Sequence, residues 1–139
     1  MEQDLLKFVR ENIFLVAVAL ISGGMLVWPL LRRTGGSSVD TLRATMLINQ
    51  QDAVIVDVRE PAELATGKIL NAKAVPLSQI ETRLKELERF KDKPVIVACA
   101  TGNRSRSAIA ILRRHGFTQL YNLAGGIAAW RQAGLPVEK

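Results

Sequence analysis

The single cysteine of the chain, Cys99, stands where a nucleophile would be well placed. It follows the apolar run Val-Ile-Val-Ala, which is typical of a buried strand. A short polar loop then leads into a helix predicted over residues 105–115. Backbone N–H groups in such a loop, together with the positive end of the helix dipole, favour bound negative charge. Because the same field lowers the pKa of a thiol, the spacing predicts a reactive thiolate at Cys99.

The candidate site combines this catalytic nucleophile with groups that could bind an anionic substrate. For Arg59, a surface ion pair and a place at the rim of the site are equally supported. For Asp57, a structural role and a substrate role are equally supported. The residues predicted to bind substrate are Ala100, Thr101, Gly102, Asn103, Arg104, Ser105, Arg59 and Asp57. His115, the only histidine, lies at the far end of the predicted helix. We therefore assign it to the helix terminus and not to base catalysis.

Alternating strands and helices must position this loop. Buried strands are predicted at residues 53–58, 94–98 and 119–123, and an extended segment is predicted to end at 75–76. Helices are predicted at residues 40–49, 61–65, 105–115 and 126–130, and from a Ser78 and Glu81 capping box to about residue 90. This alternation predicts an α/β domain with a parallel sheet and helices on both faces. Ligands of such sheets bind beyond the carboxyl ends of the strands, where Cys99 falls.

Four ordered motifs resemble those of the rhodanese family. They are the Cys-x-x-Gly-x-Arg-Ser loop at 99–105, Asp-Val-Arg at 57–59 with Glu60 and Glu63 after it, the stretch 67–76, and Leu-Ala-Gly-Gly at 123–126 with Trp130. The match covers about residues 38–137, and it implies a rhodanese domain at 39–139. It also implies that Cys99 carries a sulfane sulfur from thiosulfate or a persulfide to a thiol or cyanide, with no metal or cofactor. Gly125, Gly126 and Trp130 are assigned to turning and packing.

Two positions depart from the family pattern. Lys68 stands where the family commonly has histidine, and Ala100 stands where many members have a basic residue beside the cysteine. With less positive charge the loop would hold a dianion less well, so the second departure weakens the case for thiosulfate as the natural donor. The cysteine itself is retained, which favours an active module.

Two other function classes compete with the sulfurtransferase. Cysteine phosphatases also use a thiolate in an anion-binding loop, but the resemblance to that group implies five residues between cysteine and arginine, whereas Cys99 and Arg104 enclose four. The second alternative is a membrane-tethered module of the same fold that binds a membrane or cytoplasmic protein partner. Persulfide sulfur on Cys99 that cyanide removes would separate the enzyme from the module.

A long apolar segment precedes the domain. Residues 12–31 contain no charged side chain, and 20 helical residues span about 30 Å, which matches the hydrocarbon core of a bilayer. We expect a tail at 1–11, one transmembrane helix at 12–31 and a linker at 32–38. A cleaved signal peptide is the alternative, but the acidic leader and the apolar run that resumes at Met25 argue against it. Two basic residues before the span and three after it favour, by a small margin, an orientation with the domain in the cytoplasm, and we expect a bacterial-type inner membrane.

Composition excludes several classes of protein. The 139-residue chain is 48% apolar, carries a net charge of +6 and has no second apolar run of spanning length, which excludes a disordered tail and a multi-pass transporter. The basic residues are spread along the domain, and few aromatic residues could stack on bases, so nucleic acid is not an expected partner. A single cysteine excludes an intramolecular disulfide and a cysteine-rich zinc site.

Overall fold

The computed structural model describes residues 1–31 and 37–139. The chain divides into two compact units, one within residues 1–33 and the other within residues 34–139. Most of the predicted linker, residues 32–36, lies outside the described residues. Arg32 and Arg33, the basic residues that directly follow the apolar run, lie there too.

The N-terminal unit contains two helices, α1 (Glu2–Glu11) and α2 (Ile13–Leu31). Within the predicted tail, residues 2–11 are helical, with acidic side chains in the first turn and Arg10 in the last, an arrangement that the helix dipole favours. Within the described residues no single helix meets the length and hydropathy expected of a membrane span. The pair Glu2–Glu11 and Ile13–Trp28 meets them jointly, with a bend of 89° between the helices.

The domain is built on a parallel sheet. Its strands are β1 (Ser37–Val39), β2 (Val54–Asp57), β4 (Lys73–Ala74), β5 (Val95–Ala98) and β6 (Leu120–Leu123), in the order β1-β6-β5-β2-β4. Every pairing is parallel, so the carboxyl ends of β2, β5 and β6 meet at one edge of the sheet. Separately, β3 (Lys68–Ile69) pairs antiparallel with β7 (Val137–Glu138). The parallel α/β architecture predicted from the sequence is confirmed.

The helices of the domain are α3 (Thr41–Gln51), α4 (Pro61–Leu64), α5 (Leu84–Leu87), α6 (Arg104–Arg114) and α7 (Gly126–Gln132). The continuous helix predicted from residue 78 to about 90 is wrong, because α5 lies between two 3-10 turns, Leu77–Gln79 and Glu88–Phe90. Ser78 does not form the predicted capping box. Its hydroxyl instead bonds the Glu60 carboxylate, at 3.3 Å.

Alternate residues of the central strands pack into two separate hydrophobic cores. Val95 and Val97 pack with α6 residues such as Leu112, whereas Ile96 and Ala98 pack on the opposite face, in the cluster that contains α3 and α7 side chains. This alternation follows from the two-residue period of a strand. Helices therefore cover both faces, and the loop after β5 emerges between α6 and α7.

Candidate active site

Cys99 directly follows β5 and is almost fully buried, with 1% of its surface exposed. The backbone N–H of Gly102 donates a hydrogen bond to Sγ over 2.9 Å, and Oγ of Ser105 lies 3.7 Å from the same sulfur. Gly102 has a φ of +100°, a conformation that side-chain-bearing residues rarely adopt. This backbone geometry lets the loop fold back on the sulfur of Cys99, in the predicted order of strand, loop and helix.

The surroundings of Cys99 favour its thiolate. Burial alone would raise the pKa of the thiol. Hydrogen bonds from the backbone and hydroxyl of Ser105, and from the backbone N–H groups of Gly102 and Thr101, outweigh this effect and lower it. The pKa of Cys99 consequently lies below the ordinary value for a cysteine, which increases the fraction of nucleophile at neutral pH.

A buried amide orients the Ser105 hydroxyl. Oγ of Ser105 lies 3.0 Å from the carbonyl oxygen of Gly102 and 2.5 Å from Oδ1 of Asn122. Nδ2 of Asn122 donates to the same Gly102 carbonyl over 3.2 Å. Since a hydroxyl has one proton, Ser105 donates to one neighbour at a time: it accepts from Cys99 when that residue is a thiol and can turn its proton to the sulfur when Cys99 is a thiolate. Asn122 was not among the predicted site residues, although a polar side chain inside an apolar strand is a signal for such a role.

Arg104, which was predicted to bind the anionic substrate, is paired with a carboxylate. Its Nη1 and Nη2 donate to Oε1 and Oε2 of Glu63 over 2.5 and 2.6 Å, and both side chains are about one-third exposed. The hydrogen bond from Arg104 is the main reason that the pKa of Glu63 falls to about 2. The same bond raises the pKa of Arg104, and the charge of Cys99 adds a smaller effect in that direction. Glu63 occurs in a matched motif but was not predicted as a site residue.

Asp57 and Arg59 form a buried ion pair that braces the segment carrying Glu63. Nε of Arg59 lies 3.0 Å from Oδ1 of Asp57, and Nη2 lies 2.8 Å from Oδ2. The guanidinium also donates to the carbonyl oxygens of Gly67 and Glu63, at 2.7 and 3.4 Å. The pair is 0% and 2% exposed, so it lies inside the domain and not on its surface. Its predicted contact with substrate stays a prediction.

Helix α7 holds the active loop from its other side. The N–H groups of Ile127 and Ala128 donate to the carbonyl oxygens of Cys99 and Ala100, at 2.9 and 3.4 Å. Gly126 has a φ of +58°, and a Cβ there would lie 2.2 Å from the Cys99 oxygen. The absence of a side chain is therefore what allows α7 to approach the loop this closely.

The remaining candidates lie as follows. Thr101 and Asn103 are exposed, and Ala100 is half-buried. Nζ of Lys68 bonds the carbonyl oxygen of Ala72 at 2.8 Å and pairs with Glu138 at 2.9 Å. Nδ1 of His115 lies 2.9 Å from the carbonyl oxygen of Ile111 at the carboxyl end of α6.

Comparisons with known proteins complete the description of the site. The family model for the rhodanese-like domain matches residues 39–133, which is more than half of the chain. A protein named sulfurtransferase from Allochromatium vinosum is 41% identical over 91 residues, which cover 66% of this chain and 83% of that protein. The uncharacterized protein YibN of Escherichia coli K12 is 34% identical over 138 residues, which cover 97% and 96%.

A solved structure gives the same agreement at the level of the fold. The crystal structure of a rhodanese-related protein from Thermoplasma volcanium is 35% identical, with a TM-score of 0.65. The similarity covers 73% of this chain and 97% of that one.

Proposed function

Since the chain belongs to the family of rhodanese-like domains, we propose that it is a sulfurtransferase in which Cys99 carries sulfur as a persulfide. The observation that carries this proposal is the hydrogen bond from the Gly102 N–H to Sγ, at the carboxyl end of a central strand. A thiolate stabilised in this way is a competent nucleophile. The same donors can stabilise the terminal sulfur of the persulfide.

The proposed reaction has two halves. The Cys99 thiolate attacks the outer sulfur of the donor, so a new S–S bond forms and the bond to the leaving group breaks; with thiosulfate, sulfite leaves with the electron pair. An acceptor thiolate then attacks the outer sulfur of the persulfide, takes it, and regenerates the Cys99 thiolate. Cyanide would accept the sulfur as thiocyanate. No external oxidant or reductant is consumed in either half.

The charges beside the thiol favour a donor with little negative charge. Arg104 is the charged side chain of the loop, and the Glu63 carboxylate already neutralises it. Ala100 adds no charge. A dianion such as thiosulfate would have to displace or outcompete Glu63, whereas a persulfide on a small thiol or a protein would not. We therefore propose a low-charge persulfide as the natural donor and thiosulfate as a weaker substitute.

Steady-state kinetics test the activity. Initial rates measured over a matrix of donor and cyanide concentrations should give parallel double-reciprocal lines, the pattern of a ping-pong mechanism. Cys99→Ser should abolish thiocyanate formation, because a hydroxyl cannot form the persulfide. Intersecting lines, or full activity in Cys99→Ser, would contradict the covalent intermediate.

The burial of Cys99 favours one alternative, a tethered module that binds a membrane or cytoplasmic protein partner with little or no catalysis. A thiol that is 1% exposed is difficult for a donor to reach without movement of the loop. If this alternative holds, neither thiosulfate nor a persulfide will place sulfur on Cys99 in the folded protein.

We also propose that the N-terminal unit tethers the domain to the lipid bilayer. The apolar character of α2 supports this. The basic residues on the two sides of the apolar run favour an orientation with the domain in the cytoplasm, and we propose a single pass through a bacterial-type inner membrane. Extraction of membranes with alkaline carbonate tests the tether, because a peripheral protein would be released.

A further inference from the structure

The short helix α1 has one apolar and one polar face. At 100° per residue, Leu5, Leu6, Phe8 and Val9 fall within a single arc of about 160°, which also contains the exposed Glu2 at the start of the helix. The opposite arc carries Gln3, Asp4, Lys7, Arg10 and Glu11. Such an arrangement is typical of a helix that lies at a boundary between an apolar and an aqueous phase.

The apolar face of α1 is uncovered. Leu5, Leu6 and Phe8 are 64%, 68% and 61% exposed. Large apolar side chains grouped on one exposed face point to a binding surface, since a free soluble helix gains nothing from this segregation.

The bend between α1 and α2 determines the direction in which the apolar face of α1 points. Among residues 1–28, only Val9, Asn12 and Val16 are half-buried, and they lie at the bend and on both sides of it. They therefore line the inner corner of the 89° angle. Val9 belongs to the apolar arc, so that arc is turned toward the side on which α2 extends.

Asn12 stands at the bend and caps the end of α1. Its backbone N–H and its Nδ2 both donate to the carbonyl oxygen of Phe8, at 3.0 and 2.9 Å, and its own carbonyl accepts from the N–H of Val16. The bend thus lies at a capped helix end that is followed directly by the first turn of α2.

We infer that α1 is an interfacial helix that lies in the plane of the bilayer surface, with Leu5, Leu6, Phe8 and Val9 in contact with lipid. The inference rests on the proposed tether: if α2 runs along the membrane normal, a 89° bend places α1 parallel to the surface. The orientation at the corner then directs the apolar face into the acyl chains and the charged face into water. Lys7 and Arg10 are balanced by the acidic side chains, so the contact depends on apolar burial and not on anionic lipid.

Lipid fits this surface better than a second copy of the chain. Stable protein interfaces bury on the order of 1,200–2,000 Å² in total, and four side chains on a ten-residue helix present far less. A bilayer requires no complementary shape, and it is already adjacent if α2 spans it.

Site-specific labels in the full chain test the orientation. Cys99→Ser removes the only native cysteine, and single cysteines are then introduced as Leu6→Cys on the apolar face or Lys7→Cys on the polar face. Each is labelled with a nitroxide in phosphatidylcholine nanodiscs. Collision with oxygen, which partitions into lipid, is compared with collision with a water-soluble nickel chelate. A label at Leu20→Cys reports on α2 separately.

The expected result is a several-fold higher ratio of oxygen to nickel collisions at position 6 than at position 7. Equal, water-like ratios at both positions with a lipid-like ratio at position 20 would overturn the interfacial helix and leave the tether intact. With one chain in each nanodisc, labels at position 6 cannot couple to one another. Dipolar coupling that appears only when each nanodisc holds two chains, together with loss of oxygen contact, would assign the face to a second copy and overturn the proposal. A water-like ratio at position 20 would overturn the tether itself.

Discussion

At the scale of single residues, the thiol of Cys99 is controlled by the hydrogen bonds that reach its sulfur. Ser105 supplies two of the effects that lower the pKa of Cys99, and Gly102 supplies another. Because a lowered folded-state pKa stabilises the fold above the pKa of the unfolded thiol, about 8.5, this stabilisation is lost as the pH falls through the folded value. Ionisation and stability are thus linked at one sulfur.

Ser105→Ala should raise the midpoint of the Cys99 reaction with iodoacetamide by about one to two pH units. The reason is that a hydrogen bond to a charged group is worth about 1.5–3 kcal/mol. Ser105→Thr retains the hydroxyl and serves as the matched control, with a midpoint close to that of the native protein. A titration of the alkylation rate measures both. An unchanged midpoint in Ser105→Ala would mean that the backbone donors alone set the pKa.

Glu63→Gln should increase kcat/KM with thiosulfate by about three- to tenfold. The change frees Arg104 for the dianion, and a partly exposed charge interaction is worth on the order of 1 kcal/mol. Reaction with a neutral persulfide donor should change little. Glu60→Gln is the control, since Glu60 has the same charge nearby but no hydrogen bond to Arg104. Equal gains in the two variants would show that overall charge, and not release of Arg104, is responsible.

The pH dependence of the reaction with thiosulfate should follow the ionisation of the Cys99 thiol. The pKa of Glu63 is about 2, so its pairing with Arg104 persists as the pH falls until it approaches that value. Between pH 5 and 9 the rate should therefore rise as Cys99 ionises.

Sequence patterns found the residues of the loop and missed their partners for a physical reason. Cys99 and Ser105 lie in one continuous segment, and their spacing alone indicates a thiolate cradle. Glu63 meets Arg104 across 41 positions of sequence, and Asn122 meets Ser105 across 17. These contacts depend on the strand order, which brings separate carboxyl ends to one edge of the sheet.

At the scale of elements, the apolar runs predicted the central strands well because burial on both faces demands them. The edge strand β1 was not predicted, since Ser37 and Ser38 carry no apolar signal and pair with β6 through the backbone. The helix predicted over 78–90 shows the opposite error. Its apolar spacing is real, and Ile80, Leu84 and Leu87 all belong to one core, but shorter turns satisfy the same burial.

The close approach of α7 to the active loop is the element contact most sensitive to mutation. Gly126→Ala should lower the free energy of unfolding by about 1–2 kcal/mol from its left-handed backbone, and by about 1–3 kcal/mol more because its Cβ would displace the Cys99 carbonyl. Gly134→Ala, with a φ of +70° and no neighbour within 4 Å, should incur only the first cost. Urea unfolding and the yield of persulfide on Cys99 are measured for both variants. Equal losses would show that α7 does not constrain the loop.

At the scale of the whole molecule, the two units should separate cleanly. We predict that residues 34–139 alone are soluble, fold cooperatively and accept sulfur, because all strands of the sheet and both cores lie within them. Residues 1–33 alone should remain with membranes. Cooperative thermal unfolding of the fragment and sedimentation of a tagged N-terminal segment measure the two properties. A molten fragment would show that the N-terminal unit is part of the fold.

Sulfur transfer through Cys99 is best tested by the covalent state of that residue. The folded protein is incubated with a persulfide donor or with thiosulfate, and its intact mass is then measured. We expect an increase by the mass of one sulfur atom, absent in Cys99→Ser and removed by cyanide with release of thiocyanate. A native protein whose mass stays unchanged with both donors, while its thiol still reacts with iodoacetamide, would contradict a sulfurtransferase.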